Sequence, residues 1–394
     1  MLPKTPYALG TARSAIRELF EYGKARAAQV GAENVFDFSI GNPSVPAPAV
    51  VNETAVRLLR ERDPVALHSY TSAQGDPEAR ALLAENLNAR FGTAYSSSDL
   101  YLTVGAAAAL CCVFRGLTCP GDEFILFAPY FPEYRVFLAG AGAEVRTVPA
   151  ETEHFQIDFA ALEERMGPRT KGVVVNSPNN PSGAVYSAET IQRLSALLTE
   201  KSKEYGHPIY LISDEPYREI TFGAPAPWIP DFYPDTLVCY SFSKSLSLPG
   251  ERIGYVLVPG SVTEHDAVYA CVAGAGRMLG YVNAPSLFQQ VAALCCGQTA
   301  DISVYERNCR LLTDSLREFG YHVAEPGGTF YMFPRCLEPD AAAFCRRAQD
   351  LDLLVVPSDT FGCPGHFRLS FCVPTERIER ALPRFRQLAE SYGT

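Results

Sequence analysis

Residues 236–258 read TLVCYSFSKSLSLPGERIGYVLV. Two apolar runs, residues 236–240 and 253–258, flank a short segment that holds serines, one lysine and one arginine. Near-continuous apolar runs of this length are typical of buried strands in an α/β sheet. Ligands bind such sheets in the loops that leave the carboxyl ends of the strands. The stretch therefore predicts an α/β fold with Lys244 and Arg252 in a ligand-binding loop.

The same pattern extends through the middle of the chain. Seven apolar runs predict strands, at residues 100–104, 123–127, 144–148, 172–176, 209–213, 236–240 and 253–258. Amphipathic segments, such as residues 188–204, lie between several of them and predict helices. Strands that alternate with helices indicate a three-layer α/β/α domain with a mostly parallel sheet. We assign residues 45–285 to this larger domain.

The two chain ends have a different pattern. Long helical periods and short apolar runs alternate after residue 285, and residues 11–30 also have helical spacing. The predicted helices are residues 287–296, 302–319 and 375–391, and the predicted strands are residues 328–333, 353–356 and 367–371. We expect residues 1–44 and 286–394 to form a smaller α+β domain together.

Composition excludes several classes of protein. The 394 residues include 34 Lys and Arg against 44 Asp and Glu, a net charge of −10, which argues against a nucleic-acid partner. The 12 cysteines show no C-x-x-C spacing and there are only 6 histidines, so we expect no metal site. We interpret the cysteines as reduced thiols and, with no secretion signal at the N-terminus, expect a cytoplasmic protein.

One uncharged segment is long enough to require a check for a membrane span. Residues 278–300 contain no charged side chain. They do contain Asn283, Gln289 and Gln290, which are too polar for hydrocarbon. We therefore expect no membrane contact and interpret the segment as a buried helix that enters at Pro285.

The residues around Lys244 suit carbonyl and phosphate chemistry. Ser241 and Ser243 precede the lysine, and Arg252 follows it by eight residues. A desolvated lysine near a second cation has a lowered pKa and becomes a nucleophile toward carbonyl carbon. Taken alone, a lysine among serines is more often a solvated surface residue.

Three further segments follow predicted strands. An acid such as Asp214, with Tyr217 nearby, keeps a pyridine nitrogen protonated if it is buried, but is otherwise a turn cap. Asn180, in the loop of residues 176–183, offers an amide donor to a phenolate, although the loop is also rich in ordinary turn residues. Gly105 precedes an alanine-rich helix start, whose free N–H groups form an anion site.

Together these segments resemble the fold type I pyridoxal-phosphate-dependent enzymes, in particular the class I/II aminotransferase family. The resemblance rests on Ser-x-Ser-Lys at residues 241–244 with Arg252 eight residues later, Asn-Pro-x-Gly at residues 180–183, and Asp-x-x-Tyr at residues 214–217. It extends over residues 37–371. It implies the three-layer fold, pyridoxal 5′-phosphate as the cofactor, and a role for each matching residue.

The resemblance implies that Lys244 forms a Schiff base with the cofactor and moves a proton to and from the substrate Cα. Asp214 is implied to contact the pyridine nitrogen, and Tyr217 and Asn180 the phenolic oxygen. Phe131 is implied to stack on the ring, with Tyr130 as the neighbour that competes for this role. The implied phosphate site comprises Ser241, Ser243, Arg252 and the backbone of Gly105, Ala106 and Ala107.

Other matches concern the substrate and a second subunit. Arg368 is implied to bind the substrate α-carboxylate with Gly41 nearby, although an arginine on an edge strand is otherwise a surface residue. Tyr70 matches a tyrosine that reaches the other subunit's phosphate, which implies a homodimer with shared active sites. Ile16 is a candidate apolar wall of the substrate pocket. Arg277 is either a contact to a distal carboxylate or a helix-end surface charge.

The resemblance implies transamination between an L-α-amino acid and a 2-oxo acid. A carbon–sulfur β-lyase, or another lyase that uses the same cofactor, is the alternative, because the fold supports both reactions. A non-catalytic sensor of the cofactor or of an amino acid is a further alternative, but no basic DNA-binding segment accompanies the enzyme-like region.

Overall fold

The structure is a computed structural model that describes Leu2, residues 4–11 and residues 15–393, apart from the side chains of Ala15 and Ile16. The chain divides into two compact units. The large unit comprises residues 43–303 and 326–329, and the small unit comprises the described residues of 1–42, 304–325 and 330–393.

The elements of the described residues are as follows. The helices are α1 Lys4–Thr11, α2 Ala15–Val30, α3 Ala49–Glu61, α4 Pro64–His68, α5 Pro77–Phe91, α6 Ala106–Leu117, α7 Glu133–Ala141, α8 Phe159–Arg165, α9 Ala188–Tyr205, α10 Phe242–Ser245, α11 His265–Met278, α12 Ser286–Leu294, α13 Ser303–Glu318, α14 Ala341–Asp350 and α15 Thr375–Glu390. The strands are β1 Phe36–Asp37, β2 Leu100–Thr103, β3 Glu123–Phe127, β4 Glu144–Val148, β5 Thr170–Asn176, β6 Tyr210–Asp214, β7 Thr236–Ser241, β8 Gly254–Leu257, β9 Tyr331–Met332, β10 Leu353–Leu354, β11 Val356–Pro357 and β12 Phe367–Ser370.

A seven-stranded sheet forms the centre of the large unit, in the order β2-β8-β7-β6-β5-β3-β4. The pairs from β7 to β4 are all parallel, and β8 is antiparallel to both β2 and β7. The prediction of a mostly parallel sheet is confirmed. Asn176 at the end of β5 is in register with Asp214 at the end of β6, so the polar ends of neighbouring strands meet at one edge.

Helices cover both faces of this sheet, which explains why its central strands are largely apolar. Every residue of β6 and β7 is buried. One face packs against α6 and α11, and the other against α9, whose Ile191, Leu194 and Leu198 recur at helical spacing and are fully buried. Burial on both faces is the physical reason for strands without polar alternation.

The small unit combines short strands with amphipathic helices. β1 pairs with β10 in parallel, and β12 lies between β11 and β9 in an antiparallel sheet. α15 buries Ile378, Ala381, Phe385 and Leu388 at helical spacing, while its other face remains polar.

The division of the chain differs from the predicted one at two places. Residues 286–303 lie in the large unit, because α12 buries Val291, Ala292 and Ala293 in the apolar cluster that includes α3 and α5. The predicted strand at residues 328–333 is shorter than expected. Gly328 forms a bridge to Thr221 in the large unit, so only Tyr331–Met332 pairs with β12.

The described residues lack two features that the sequence analysis considered. Every helix there is too short or too polar to span a bilayer. No three side chains of His, Cys, Asp or Glu there come together as metal ligands.

Candidate active site

Lys244 lies directly at the carboxyl end of β7. Ser241, the last residue of that strand, accepts a hydrogen bond from the Ser243 N–H at 3.2 Å and so caps α10. The cap satisfies a donor that the helix leaves free, which lets a helical turn begin at the strand end. Lys244 is partly buried in this turn.

An anion cradle lies at the N-terminus of α6. The Arg252 guanidinium donates to the Ser243 hydroxyl at 3.4 Å and to the Val104 carbonyl at 3.3 Å. The Ser241 and Ser243 hydroxyls are 2.8 Å apart. We call the group of Ser241, Ser243, Arg252 and the first N–H groups of α6 the phosphate cradle, because cationic and N–H donors of this kind bind phosphate.

Gly105 makes the cradle possible. It is the N-cap of α6 with φ 87°, and a Cβ added there would lie 2.6 Å from Arg252 Nη2. Both the backbone angle and the close approach of the guanidinium therefore require glycine. Ala106 and Ala107 follow as the first helical residues, where backbone N–H groups have no partner inside the helix. The structure thus brings all six predicted phosphate-site residues together.

Asp214 is buried at the end of β6 and is 5% exposed. Its Oδ2 accepts a hydrogen bond from the Tyr134 hydroxyl at 2.5 Å, while its Oδ1 is buried without a hydrogen-bond partner. Burial raises the pKa of this carboxyl, the Tyr134 hydrogen bond lowers it and the nearby Glu215 raises it, and together these effects bring the pKa to about 7. An unpartnered carboxylate oxygen fits a protonated ring nitrogen as its missing partner.

Asn180 and Tyr217 lie in loops beside Asp214, and both are nearly fully buried. Asn176 joins the two loops, since its Nδ2 donates to the Asp214 carbonyl at 2.8 Å and its Oδ1 accepts from the Asn180 N–H at 2.7 Å. Asn179 holds the same loop by accepting from the Ser182 N–H at 3.0 Å. The turn residues of this loop are therefore structural supports for Asn180.

Phe131 and Tyr130 have different surroundings. The Tyr130 ring is buried in the main core cluster, and its hydroxyl accepts from Arg135. Phe131 is partly buried and meets the Tyr134 ring edge to face, at 5.6 Å between centroids. Phe131 therefore contacts the tyrosine that donates to Asp214.

Arg368 is buried in the small unit and is 3% exposed. The surface alternative for this arginine is wrong, because β12 is the central strand of its sheet. Its Nη2 donates to the Ser39 carbonyl at 2.7 Å, and the guanidinium carbon lies 4.7 Å and 5.2 Å from the ring centres of Tyr331 and Phe361. Aromatic faces and a carbonyl thus fix the plane of the guanidinium.

Gly41 lies in the same unit, against Tyr331. A Cβ added at Gly41 would lie 1.7 Å from the Tyr331 hydroxyl oxygen, so a larger residue there would force the Tyr331 ring to move. Ile16, the candidate apolar wall, lies in α2, but its side chain lies outside the part of the chain that the structure describes.

Tyr70 and Arg277 are on the surface of the chain. Tyr70 is 93% exposed, which is exceptional for a tyrosine in an ordered loop. Arg277 is exposed in the last turn of α11.

Comparison with known proteins identifies the family. The profile of the family described as aminotransferase class I and II matches residues 33–385. The chain belongs to this family. A crystal structure of an aminotransferase from Eubacterium rectale has 57% identity and a TM-score of 0.98, with 100% of both chains covered. The aspartate/prephenate aminotransferase of Thermus thermophilus is 32% identical over 359 residues, which is 88% of this chain and 89% of that relative.

A second solved structure extends the comparison. Aspartate aminotransferase from Thermus thermophilus, with maleate, has 27% identity and a TM-score of 0.85 over 98% of this chain and 100% of its own. Class I and II aminotransferases use pyridoxal phosphate, so this is the cofactor of the chain. The reaction is pyridoxal-phosphate-dependent transamination, and both expectations from the sequence are confirmed.

Sequence reasoning missed two kinds of residue in this aminotransferase. Tyr134 contacts Asp214 across 80 positions of sequence, and the only local signal is its place three residues after Phe131, at the start of α7. Asn176 begins a loop rich in turn residues, which gives no local signal that it connects the loops carrying Asn180 and Asp214. In both cases the role depends on which strand ends become neighbours.

Proposed function

We propose that this aminotransferase binds the phosphate of pyridoxal phosphate in the phosphate cradle and the ring nitrogen at Asp214 Oδ1. The observation that carries the assignment is the buried, unpartnered Oδ1 of Asp214. When bound, pyridoxal phosphate supplies an electron sink for the bond that breaks at the substrate Cα. The remaining roles belong to side chains of the chain itself.

Lys244 is the residue to which we assign covalent attachment of the cofactor. Its partly buried place in α10, directly after Ser243, whose hydroxyl accepts from Arg252, supports this role. Once released by the substrate, its amine holds and returns the proton of the substrate Cα. Tyr217 and Asn180, both buried, donate to the phenolic oxygen, and Phe131 covers the ring.

For the substrate, we assign the α-carboxylate to Arg368, beside Gly41. A guanidinium held flat by two rings and a carbonyl suits two parallel hydrogen bonds to a carboxylate, which an ammonium group does not reproduce. The substrates are an L-α-amino acid and a 2-oxo acid. We propose that the amino acid is dicarboxylic, because several relatives are named aspartate aminotransferases and one was solved with maleate. Arg277 is our candidate contact to the distal carboxylate.

We also propose a homodimer in which Tyr70 reaches the phosphate of the partner subunit. Support comes from an open surface pocket with a volume of about 780 Å³, which is lined by both Tyr70 and Val104. Val104 adjoins the phosphate cradle, since its carbonyl accepts from Arg252. A twofold interface uses the same surface patch on both copies. A patch that holds both Tyr70 and the edge of the phosphate cradle therefore lets each copy place its Tyr70 at the other copy's cradle.

A cytoplasmic location is proposed on the cysteines. All 12 are free thiols, and burial raises the pKa of Cys112 and Cys345 to about 12, which keeps them unreactive.

Reduction with borohydride tests the covalent role of Lys244. Treatment of the protein with pyridoxal phosphate and then borohydride should leave the cofactor on the peptide that contains Lys244. Lys244→Arg should abolish this labelling, whereas Lys171→Arg, at a partly buried lysine of β5, should not. Label on another lysine in the wild-type protein would contradict the assignment.

A panel of amino donors tests the substrate. Each donor is added without a 2-oxo acid, and conversion of the bound cofactor to its amine form is followed by absorbance. Aspartate or glutamate should convert it faster than alanine. Preference for alanine would contradict the dicarboxylate proposal, and release of ammonia and pyruvate from cysteine would reveal lyase activity.

A further inference from the structure

We infer that Gln289 positions Tyr70 and thereby acts on the cofactor site of the partner subunit, not on the site of its own chain. This inference rests on the proposed function, in which Tyr70 serves the other copy. The hydrogen bonds of the Gln289 side chain go to Thr71, Asp76 and Ala284, none of which is assigned to the cofactor or the substrate. Its role follows from what it holds.

The segment that carries Tyr70 has little regular structure of its own. Residues 69–76 lie between α4 and α5 without a helix or strand, and the Tyr70 side chain is 93% exposed. An exposed side chain on such a segment gains no order from packing, so its position depends on how the residues on either side are fixed.

Downstream of Tyr70, the segment is held by a buried amide of α12. Gln289 is 1% exposed and uses both ends of its amide. Its Nε2 donates to Thr71 Oγ1 at 3.2 Å and to the Ala284 carbonyl at 2.7 Å, and its Oε1 accepts from the Asp76 N–H at 2.6 Å. Gln289 thereby ties both the residue after Tyr70 and the N-cap of α5 to one helix.

Two neighbours of Gln289 complete this support. Asn283 Nδ2 donates to Thr71 Oγ1 at 3.0 Å and to the Ser72 carbonyl at 2.8 Å. On the upstream side, the Ser286 hydroxyl donates to the Leu67 carbonyl at 2.9 Å. We call Asn283, Ser286 and Gln289 the Tyr70 brace. It fixes the chain on both sides of Tyr70 while leaving the phenol exposed.

The brace makes sense as preorganisation for a partner. Fixing a contact residue before association reduces the entropy that is lost when the contact forms. If Tyr70 contacts the other copy, then Gln289 raises the cofactor affinity of that other copy. A substitution in the brace should therefore weaken cofactor binding at the partner's Lys244, and a purely structural role would not produce this crossed pattern.

Cofactor affinity of homodimers is the first test. Gln289→Leu keeps the approximate side-chain volume and removes all three hydrogen bonds. We expect it to weaken pyridoxal phosphate binding about tenfold, which matches the loss of about one hydrogen bond to a charged group. Tyr70→Phe should have a similar effect. Gln290→Leu is the matched control, because its Oε1 has no hydrogen-bond partner, and it should retain wild-type affinity.

Heterodimers purified with two different tags are the decisive test. A heterodimer of a Gln289→Leu chain and a Lys244→Ala chain has one Lys244, and the Tyr70 that reaches that site comes from the chain with an intact brace. Borohydride labelling at increasing pyridoxal phosphate should show wild-type affinity. A wild-type chain paired with a Lys244→Ala, Gln289→Leu chain should show the tenfold loss. The reverse pattern, or equal affinity in the two heterodimers, would overturn the inference.

The same pairs with Tyr70→Phe in place of Gln289→Leu separate the two proposals. If Tyr70→Phe weakens the site of its own chain, the shared-site proposal fails. If Tyr70→Phe acts across the interface and Gln289→Leu does not, only the role of Gln289 fails. Should Gln289→Leu not fold, Asn283→Ala replaces it in both heterodimers, because Asn283 is only partly buried and also holds Thr71.

Discussion

Each of the two units of this aminotransferase buries one charged side chain to which we assign a ligand, and the two side chains have opposite charge and different surroundings. In the large unit, Asp214 has one oxygen on the Tyr134 hydroxyl and one oxygen without a partner. In the small unit, Arg368 meets the Ser39 carbonyl and the faces of Tyr331 and Phe361.

The difference shows how each charge is kept in place. A buried carboxyl without a cation loses its charge easily, which is why the pKa of Asp214 is raised to about 7. A guanidinium stays charged at any pH at which proteins fold, so it requires surroundings that tolerate a cation permanently. The stability of the large unit should therefore depend on pH and on bound cofactor, through Asp214. Substrate binding at Arg368 in the small unit should depend on the shape of the cationic side chain.

The largest expected effect is at Arg368. Arg368→Lys keeps the charge but not the planar fork, so kcat/KM for the amino donor should fall about 100-fold. Affinity for pyridoxal phosphate, measured by absorbance titration, should not change. Arg384→Lys, at an exposed arginine of α15, is the control and should behave as wild type. Wild-type kcat/KM in Arg368→Lys would remove Arg368 from the substrate site.

A pH experiment isolates Asp214. Its pKa in the folded protein, about 7, lies above the unfolded value of about 3.9. The folded state therefore binds more protons than the unfolded state between these values, and stability falls as pH rises through that range. Protein freed of cofactor should lose about 2 kcal/mol of unfolding free energy between about pH 5 and about pH 6.5.

Urea unfolding at several pH values measures this slope. Asp214→Asn should remove the contribution, and added pyridoxal phosphate should reduce it in the wild-type protein by supplying a cationic partner. Asp235→Asn, at another buried aspartate, should keep the slope. An identical slope in wild type and Asp214→Asn would mean that other groups produce it.

Gly105→Ala tests the cradle with a smaller effect. The added Cβ would lie 2.6 Å from Arg252 Nη2, so the guanidinium must move, and cofactor affinity should fall about tenfold, or about 1.4 kcal/mol. Gly121→Ala has a similar φ of 92° but open space around the added Cβ. It should lower stability without changing cofactor affinity. Equal affinity loss in both variants would attribute the effect to backbone strain alone.

The smallest expected effect is at Arg277. An exposed charge contributes little, so Arg277→Ala should lower kcat/KM for aspartate only about threefold. The kcat/KM of this variant for alanine as the amino donor should equal that of the wild type, because the alanine substrate has no distal carboxylate. Equal reduction for both donors would identify Arg277 as a surface charge at the end of α11.

Much of the large unit was predictable from the sequence. Strands such as β3 have the predicted bounds, because burial on both faces leaves a local apolar signature. The phosphate cradle was also predictable. Its residues lie at the carboxyl ends of β2 and β7 and just before the start of β8, which runs antiparallel between them, so these ends meet at one edge of the sheet.

The roles of Lys244, Tyr217 and Asn180 toward the cofactor remain predictions, as do the contacts of Arg368 and Tyr70 with ligands. The boundary at residue 285 was not predictable, because the apolar face of α12 has no local sign of which helices it meets. Only its contacts with α3 and α5 assign it to the large unit.

The sequence by itself determined the order of strands and helices, the spacing of Lys244, Asp214 and Arg252, and hence the family and its cofactor. These features depend on residues near one another in the chain. The tertiary structure alone decided the partner of Asp214, the burial of Arg368 and the contacts of Gln289. Each of these joins segments far apart in sequence, and the energy of a buried polar group depends on the atoms that folding brings to it.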